Sequence, residues 1–334
     1  MRRFVSKVIL PILVMAILLL TSSWGFLAHK TEHQLAIYEL PKELCNFFYK
    51  NIDYIEYNAV RPDVRRNSDK SEEPKHYINL EAYGDSAVYK MPGHWADAIK
   101  KYSKDTLLKY GYVPYHIIQM QKLLTNAFKQ KNSDSILFYA ADLGHYIEDA
   151  NVPLHLSINY DGQLTNQKGL HALWETVIPE IEINNYNLAS KHSAKYIKNK
   201  EKAVWNAIRR ADKLLRNVFR KETQISKQFT DATKYKTENR TGKEVKYYST
   251  AFAKAYATSL GNTINEQLIN SANMVADFWY TAWVDAGKPD LSELPKAKLS
   301  DKEKEQLKNE LHSYKQNTLI KDGYLRAKEP ADKK

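Results

Sequence analysis

Apolar residues recur at helical spacing through most of this chain, and this pattern limits the possible folds more than any other feature. Between positions 29 and 49 the pattern is interrupted at Pro41. Further amphipathic segments cover residues 113–129, 133–150, 170–177, 188–221 and 250–284. Alternating strand patterns, internal repeats and glycine-rich phosphate loops are absent from the sequence. We therefore predict an all-α fold, built as one compact multi-helix domain.

Two polar segments that contain proline separate the predicted helices. They are RPDVRRNSDKSEEPKHY, residues 61–77, and NVPLHLSINYDGQLTNQKG, residues 151–169, and both compositions predict loops. From residue 292 onwards the chain is dense in lysine, glutamate and aspartate, which is typical of a helical or partly disordered tail. We divide the mature chain into a domain over residues 24–291 and a charged tail over residues 292–334.

Residues 1–23 have the order of a cleavable signal peptide. Arg2, Arg3 and Lys7 are followed by an apolar run and then by small residues. The apolar run is about 13 residues long, which is shorter than the roughly 20 needed to span a bilayer. We expect cleavage after Ser23, so that Trp24 becomes the amino terminus of a secreted or periplasmic protein.

Charge and cysteine content limit what can stabilise or bind the mature chain. The formal net charge is +11 for the full sequence and falls to +8 without the signal peptide. A moderately basic surface is compatible with nucleic acid or with anionic lipid and does not distinguish them. Cys45 is the single cysteine, so no disulfide can form within the chain, and its apolar helical surroundings predict a buried structural thiol.

Two pairs of histidine and carboxylate occur at helical spacing. In GHYIEDANVPLH, His145 and Asp149 are four residues apart and therefore project from one helix face, and His155 follows just beyond Pro153. In GLHALWE, His171 and Glu175 repeat the spacing. One such pair alone is weak evidence, because a surface ion pair explains it. Two pairs with a further histidine between them indicate a zinc site, since zinc takes imidazole and carboxylate ligands.

Further candidate ligands lie upstream. Asp63 and His76 fall in or beside the first polar segment, and His29 follows the predicted cleavage site. Read alone, Asp63 is a turn residue after Pro62. A free amino group at Trp24 and the carbonyl oxygen of the same residue could chelate a metal ion in a five-membered ring. Signal cleavage could therefore create a ligand.

Taken together, these residues resemble the trinuclear zinc site of the superfamily that joins bacterial zinc-dependent phospholipases C with fungal-type single-strand nucleases. The resemblance covers residues 24–175, about half of the chain. It implies three zinc ions per chain in a cleft between helices. The implied ligands are Trp24, His29, Asp63, His76, His145, Asp149, His155, His171 and Glu175.

The resemblance also implies how the ligands divide among the metals. Asp63, His76, His145 and Asp149 would hold one zinc, and His155, His171 and Glu175 would hold a second. Trp24, His29 and Asp149 would hold the third, with Asp149 bridging two metals. Asp63 would lie at the open edge of the cluster, where it would orient or deprotonate the attacking water.

The sequence does not fix the substrate; we favour a phosphodiesterase that resembles phospholipase C, with a single-strand-specific nuclease as the alternative. Glu175 as the last ligand resembles the phospholipase branch, whereas the short spacing from Trp24 to His29 resembles the nucleases. In the phospholipases this histidine lies further from the amino terminus, and His33 is the alternative to His29 as ligand for that longer spacing. Phospholipid cleavage with peripheral membrane contact predicts an apolar rim beside the cleft. Cleavage of single-stranded nucleic acid predicts a basic rim with stacked aromatic residues. Tyr77, Tyr146 and Tyr160 are candidates for lining the cleft.

A third possibility is a noncatalytic envelope protein that zinc only stabilises. That function predicts a closed ligand shell. The shared Asp149 in a nine-residue ligand set favours a catalytic site instead. We predict a zinc-dependent phosphodiester hydrolase that acts on phospholipid or single-stranded nucleic acid and has no protein partner.

Overall fold

The computed structural model describes residues 26–240, 243–294 and 297–328. The predicted signal peptide and Trp24 lie outside these ranges. The first nine helices in chain order are α1 Phe26–Tyr38, α2 Lys42–Lys50, α3 Ile52–Asn58, α4 Arg61–Arg65, α5 Ala87–Lys90, α6 Trp95–Tyr102, α7 Lys104–Tyr110, α8 Val113–Lys129 and α9 Ser133–Asn151.

The remaining elements include one pair of strands. They are α10 Leu170–Ala172, α11 Ile178–Glu182, α12 Lys200–Ser226, α13 Asp231–Lys234, β1 Tyr235–Arg240, β2 Lys243–Tyr248, α14 Thr250–Leu260, α15 Thr263–Asp285 and α16 Asp301–Lys315. A π-helical stretch, Leu173–Val177, joins α10 to α11, and short 3₁₀ turns include Glu73–Lys75 and Pro153–Leu156. The fold is all-α, as predicted.

Helices α1 and α9 lie at the centre of the main core. From Thr31 to Tyr38, every residue of α1 is buried, and α1 packs against α15, α3 and α9. Helix α9 is also enclosed, by α8 on one side and α15 on another. The Trp279 ring stacks on Phe48 at 4.6 Å between centroids, and its Nε1 donates to the carbonyl of Ala140 in α9. Polar residues on α1 and α9 therefore face each other inside the protein.

A smaller apolar cluster lies beside the main core and contains the only sheet among the described residues. Trp174, Val218, Phe252 and Tyr256 are buried in it together with Tyr248 of β2. The two strands pair antiparallel, with Tyr235 opposite Tyr248. The sequence shows no strand pattern here, because the six-residue strands are rich in charged residues and lack a long apolar alternation.

Two predicted helical segments have different bounds in the structure. Helix α12 begins at Lys200 rather than at 188, and Asn199 caps it by accepting from the Lys202 amide. The preceding segment uses its amides for tertiary bonds instead, since Leu188 donates to Asn317 Oδ1 and Ala194 donates to the Glu39 carbonyl. The predicted run over 250–284 is two helices, broken at Gly261–Asn262.

The first polar segment also differs from the prediction of a loop. Residues 61–65 form helix α4, with Pro62 in its first turn, where proline favours helix initiation. Residues 73–75 form a 3₁₀ turn that precedes His76. Both short elements hold candidate ligands in fixed positions, so this segment is better described as structured than as irregular.

The charged segment after residue 292 contains a helix that packs on the main core. Ser300 and Glu303 form a capping box at the start of α16. Glu310 of α16 is buried and accepts hydrogen bonds from the hydroxyl groups of Tyr38 and Tyr49. These bonds fix α16 against α1 and α2, while the boundary that we placed at residue 291 stays a prediction.

Cys45 lies in the core, and none of the described helices could cross a bilayer. Cys45 is buried, and burial raises the pKa of its thiol to about 12, so it is an unreactive core residue as expected. Within residues 26–240, 243–294 and 297–328, no helix is long and apolar enough to cross a bilayer.

Candidate metal centre

Helix α9 supplies the central pair of candidate ligands. His145 and Asp149 project from one face, one turn apart, and both are buried. The helix ends at Asn151, just before Val152 and Pro153, because proline cannot continue it. The chain then turns through Pro153–Leu156, which brings His155 back beside the same face.

The first donor group consists of Asp63, His76 and His145. One possible ligand atom from each of the three lies within 4.8 Å of the others. Asp63 Oδ1 is 3.7 Å from both His76 Nδ1 and His145 Nε2. The two histidine nitrogens, His76 Nδ1 and His145 Nε2, are 3.1 Å apart. Three segments that are distant in sequence therefore direct donor atoms at one point, as the prediction required.

The second donor group consists of His155, His171 and Glu175. His155 Nε2 is 2.9 Å from Glu175 Oε1, and His171 Nε2 is 2.9 Å from Glu175 Oε2. The Nε2 atoms of the two histidines are 3.1 Å apart. His171 lies on α10, and Glu175 lies in the π-helical stretch that continues it. This group is the more accessible of the two, because His171 and Glu175 are partly exposed.

The Asp149 carboxylate lies between these two groups. Its Oδ2 atom is 2.8 Å from His76 Nδ1 and 3.4 Å from His145 Nε2. Its Oδ1 atom faces the second group, 3.8 Å from His155 Nε2. One carboxylate therefore contacts histidines of both groups.

The third donor group contains His29, which meets His145 and Asp149 within the same 4.8 Å limit. The His29 ring lies over the His145 ring, with 4.4 Å between centroids. Trp24, the other residue predicted for this position, lies outside the described residues. His33, the alternative to His29, is directed elsewhere, since its Nε2 donates to the Ala141 carbonyl. The structure therefore brings eight of the nine predicted ligands together and favours His29 over His33.

A close approach between α1 and α9 makes this arrangement possible. His33 Nε2 would lie 2.3 Å from a Cβ atom built on Gly144. Any side chain at that position would therefore push α1 away from α9. Gly144 permits α1 to place its polar residues directly beside His145.

The histidine tautomers fit metal binding. His145 Nδ1 donates to the Ala59 carbonyl, and His155 Nδ1 donates to the His76 carbonyl. Each bond leaves Nε2 with a lone pair in the neutral ring. His155 Nε2 and Glu175 Oε1 are then two acceptors 2.9 Å apart, a contact that requires a proton or a cation between them. The donor types and their arrangement fit zinc.

Burial and neighbouring charges set the ionisation of the cluster. Burial lowers the pKa of His145 to about 4, so that ring is neutral. Burial also lowers the pKa of His155, but Asp149 and Glu175 raise it more, to about 9. Burial alone would raise the pKa of Asp149, yet His145 and His155 hold it below its usual range. The buried carboxylates are therefore ionised and favour a cation.

A cavity of about 330 Å³ opens beside the second donor group. Tyr160 contacts the His171 ring edge-on, with 5.7 Å between centroids. The lining residues are Arg66, Glu73, Tyr77, Asn79, His155, Ile158, Tyr160, Gln163 and His171. Tyr77 and Tyr160 thus line the cleft as predicted.

Tyr146 was wrongly predicted to line the cleft. Its side chain is fully buried, and its hydroxyl bonds with Glu72 and Arg65. The spacing explains the difference, because Tyr146 follows His145 and therefore points about 100° away from it around the helix.

Several residues that support the ligands were missed in the sequence. Glu72 is buried beneath His76, with its Oε1 atom 3.6 Å from His76 Nε2. Arg65 joins Glu72 to Asp142 through hydrogen bonds to both carboxylates. Glu148 contacts His29 from α9. The available signals were weak, namely a glutamate four residues before His76 and another directly before Asp149.

No family model matches the chain, and no curated protein matches it. A solved structure, the alpha toxin from Clostridium absonum, is similar at 14% sequence identity with a TM-score of 0.46. The similar region covers 79% of this chain and 65% of that one, so this chain spans less than two thirds of the toxin's length.

Proposed function

We propose that this chain is a secreted zinc-dependent phosphodiesterase that resembles phospholipase C. The observation that carries the proposal is the position of Asp149 between two donor groups, one of which opens onto a cavity. A structural zinc site has a closed shell of protein ligands. The partly exposed His171 and Glu175, next to a cavity of about 330 Å³, favour a site with room for substrate.

The ligands would divide as the family resemblance implies. Asp63, His76, His145 and Asp149 form one site, while His155, His171 and Glu175 form the second. His29 and Asp149 belong to the third, with the amino terminus at Trp24 completing it. Bound zinc would supply an activated water near neutral pH and would neutralise the oxygens of a phosphodiester.

Asp63 is the residue that we propose to orient or deprotonate the attacking water. Its side chain is about one fifth exposed, more than those of His76 and His145 in the same group. Arg66 contacts Asp63 at 2.6 Å and also lines the cavity. Burial would raise the pKa of Asp63, but His145 and Arg66 lower it below its usual value, so the carboxylate is ionised and can accept a hydrogen bond from the water.

The rim of the cavity favours a lipid substrate over a nucleic acid. Ile158 and Tyr160 line the cavity and are 44% and 50% exposed. Leu164, which directly follows the lining residue Gln163, is 66% exposed. A nuclease groove needs clustered basic residues. The cavity lining instead contains one arginine, Arg66, together with an acidic residue, Glu73. We propose that the three apolar side chains contact the surface of a phospholipid membrane.

The test measures metal content and hydrolysis of protein secreted with its own signal peptide. Hydrolysis assays use phosphatidylcholine vesicles and single-stranded DNA in parallel. We expect nearly three zinc ions per chain and hydrolysis of the phospholipid. A variant that retains one extra residue before Trp24 should lose about one ion, because its amino group is displaced from the site.

Other outcomes would change the proposal. Preferential cleavage of the DNA would identify the site as a nuclease. Bound zinc without cleavage of either substrate would support the noncatalytic, zinc-stabilised protein. Zinc below one ion per chain would contradict the metal centre itself.

A further inference from the structure

Four polar residues meet in the core where α1 faces α9. His29, Glu32 and His33 lie on one side of α1, and Glu148 of α9 is opposite them. All four are at most 6% exposed. Glu148 immediately precedes Asp149 but points to a different side of the helix, towards α1. Four such groups are costly to bury unless their contacts satisfy one another.

Glu148 contacts both histidines of α1. Its Oε2 atom is 2.5 Å from His29 Nδ1, and its Oε1 atom is 2.8 Å from His33 Nδ1. The far nitrogen of His33 donates to the Ala141 carbonyl at 3.0 Å. Glu148 is thus held by His33, which is itself fixed to the backbone of α9. The carboxylate has one defined position relative to His29.

We propose that Glu148 is the positioning residue of His29 in the third metal site. By accepting the Nδ1 hydrogen, Glu148 selects the tautomer that leaves Nε2 free for the position shared with His145 and Asp149. A carboxylate behind a metal-binding histidine fixes the ring orientation and increases its basicity. This inference rests on the proposed function, because it requires a metal ion bound by His29.

The geometry favours positioning over direct ligation by Glu148. In the first two sites the closest pairs of candidate ligand atoms are 2.8–3.1 Å apart. The separation of 2.5 Å between His29 Nδ1 and Glu148 Oε2 is shorter and is that of a charge-assisted hydrogen bond. Glu148 therefore acts through His29.

Glu32 provides a matched control within the same cluster. It lies three residues after His29, and its carboxylate is within 4.8 Å of ligand atoms of His29 and Glu148. It is 6% exposed and makes no hydrogen bond or ion pair with any residue in the described ranges. Glu32 and Glu148 are thus equally buried glutamates on opposite helices, and only Glu148 contacts a histidine nitrogen.

The experiment compares Glu148→Ala, Glu148→Gln and Glu32→Gln with the wild-type full chain. Zinc content is measured by mass spectrometry, and the affinity of the weakest ion is measured by competition with a chelator. We expect Glu148→Ala to weaken one ion by about 10- to 100-fold. Glu148→Gln should recover part of the loss, because the amide oxygen still accepts from Nδ1. Glu32→Gln should bind all ions as the wild type does.

Cobalt substitution gives a readout that a purely structural role would not change. The visible spectrum of bound Co²⁺ reports the ligands and their geometry, so Glu148→Gln should alter the band of a single ion. Thermal unfolding of the metal-free proteins separates folding from binding. Because glutamine keeps the size of glutamate, Glu148→Gln should fold even if Glu148→Ala does not.

The outcomes separate this inference from the proposed function. If the wild type binds three ions and Glu148→Gln binds them with unchanged affinity and spectrum, Glu148 does not position His29. An equal loss in Glu32→Gln would also overturn the inference, because the cluster would then act as a ligand set. A wild-type chain that binds no third ion would contradict both the inference and the three-metal proposal.

Discussion

The Asp149 carboxylate contacts the His76 imidazole at 2.8 Å, although the two residues are 73 positions apart in the chain. Asp149 lies on the enclosed helix α9, whereas His76 follows a short 3₁₀ turn in a polar segment. The chain holds this segment in place by a further bond, since the Ile78 amide donates to the His155 carbonyl. The candidate site is thus assembled by tertiary contacts around one helix face.

The substitution Asp149→Asn tests this central position. Asparagine has nearly the same shape but lacks the charge that the proposed first and third metal sites share. We therefore expect the zinc content to fall from the proposed three ions per chain to one. Hydrolysis should fall by about 10³-fold, which is the upper end of the loss on removing one electrostatic group from a catalytic site. Zinc analysis and the phosphatidylcholine assay measure the two effects.

The control for this change is Asp277→Asn. Asp277 also pairs with a histidine, His192, at 2.8 Å, but that pair lies outside the three donor groups. The substitution Asp277→Asn should therefore leave zinc content and hydrolysis unchanged. If Asp149→Asn retains three ions, the bridging position is wrong.

The sequence was a better guide to the ligands than to the elements that carry them. His145 with Asp149 and His171 with Glu175 were predictable, because a spacing of four residues places both side chains on one helix face. The contact of Glu148 with His29 was not predictable, because the position of Glu148 directly before Asp149 does not show which helix packs opposite it. Its contact with His29 depends on how α1 and α9 pack.

The start of helix α12 also depends on tertiary contacts that the local sequence does not show. The extended residues before Lys200 carry apolar side chains at helical spacing, yet Asn317 and Glu39 bind their amides. Those partners come from distant parts of the chain. Local periodicity could not show that tertiary hydrogen bonds would replace helical ones here.

Removing Arg65 should destabilise the scaffold beneath His76. Arg65 bonds with Glu72 and Asp142, which are 0% and 3% exposed. The substitution Arg65→Ala leaves both carboxylates buried with fewer partners, and we expect the free energy of unfolding to fall by about 3 kcal/mol. Urea denaturation at pH 7 measures the change.

Lys50→Ala is the comparison for an exposed pair. Lys50 contacts Glu303 at 2.7 Å, and both side chains are about one third exposed. Its removal should cost less than about 1 kcal/mol, because water already solvates these charges. Equal losses for the two variants would show that the buried network does not support the scaffold.

Glu39 should make folding stability depend on pH near neutrality. Burial raises the pKa of this carboxyl from 4.5 to about 7, although the Tyr314 hydroxyl donates to it. Between these values the folded chain holds a proton that the unfolded chain has released. Stability is therefore lost as the pH rises from about 4.5 to 7, by about 3 kcal/mol at most.

The variant Glu39→Gln tests this dependence. It removes the titrating group while keeping an acceptor for Tyr314, so its urea midpoint should exceed that of the wild type at pH 8 and approach it at pH 5. The exposed Glu43→Gln should leave the wild-type dependence intact. Parallel curves for the wild type and Glu39→Gln would contradict the prediction.

The double substitution Ile158→Ser with Leu164→Ser tests the proposed membrane contact. Both residues are exposed, at 44% and 66%; Ile158 lines the cavity, and Leu164 directly follows Gln163, which also lines it. Neither contacts a candidate ligand in the way that Tyr160 contacts His171. Losing two apolar side chains from a lipid interface should cost about 2 kcal/mol, or roughly 30-fold in binding to phosphatidylcholine vesicles. Vesicle sedimentation measures this binding.

Hydrolysis of a short-chain phosphatidylcholine below its micellar concentration separates surface binding from chemistry. The double variant should cleave this monomeric substrate at the wild-type rate, because the proposed zinc ligands, including Asp63, are unchanged. Leu108→Ser is the control, since Leu108 is 39% exposed on α7 and does not line the cavity. If the double variant and Leu108→Ser bind vesicles equally well, the apolar rim is not a membrane contact, and the argument for lipid over nucleic acid loses its structural support.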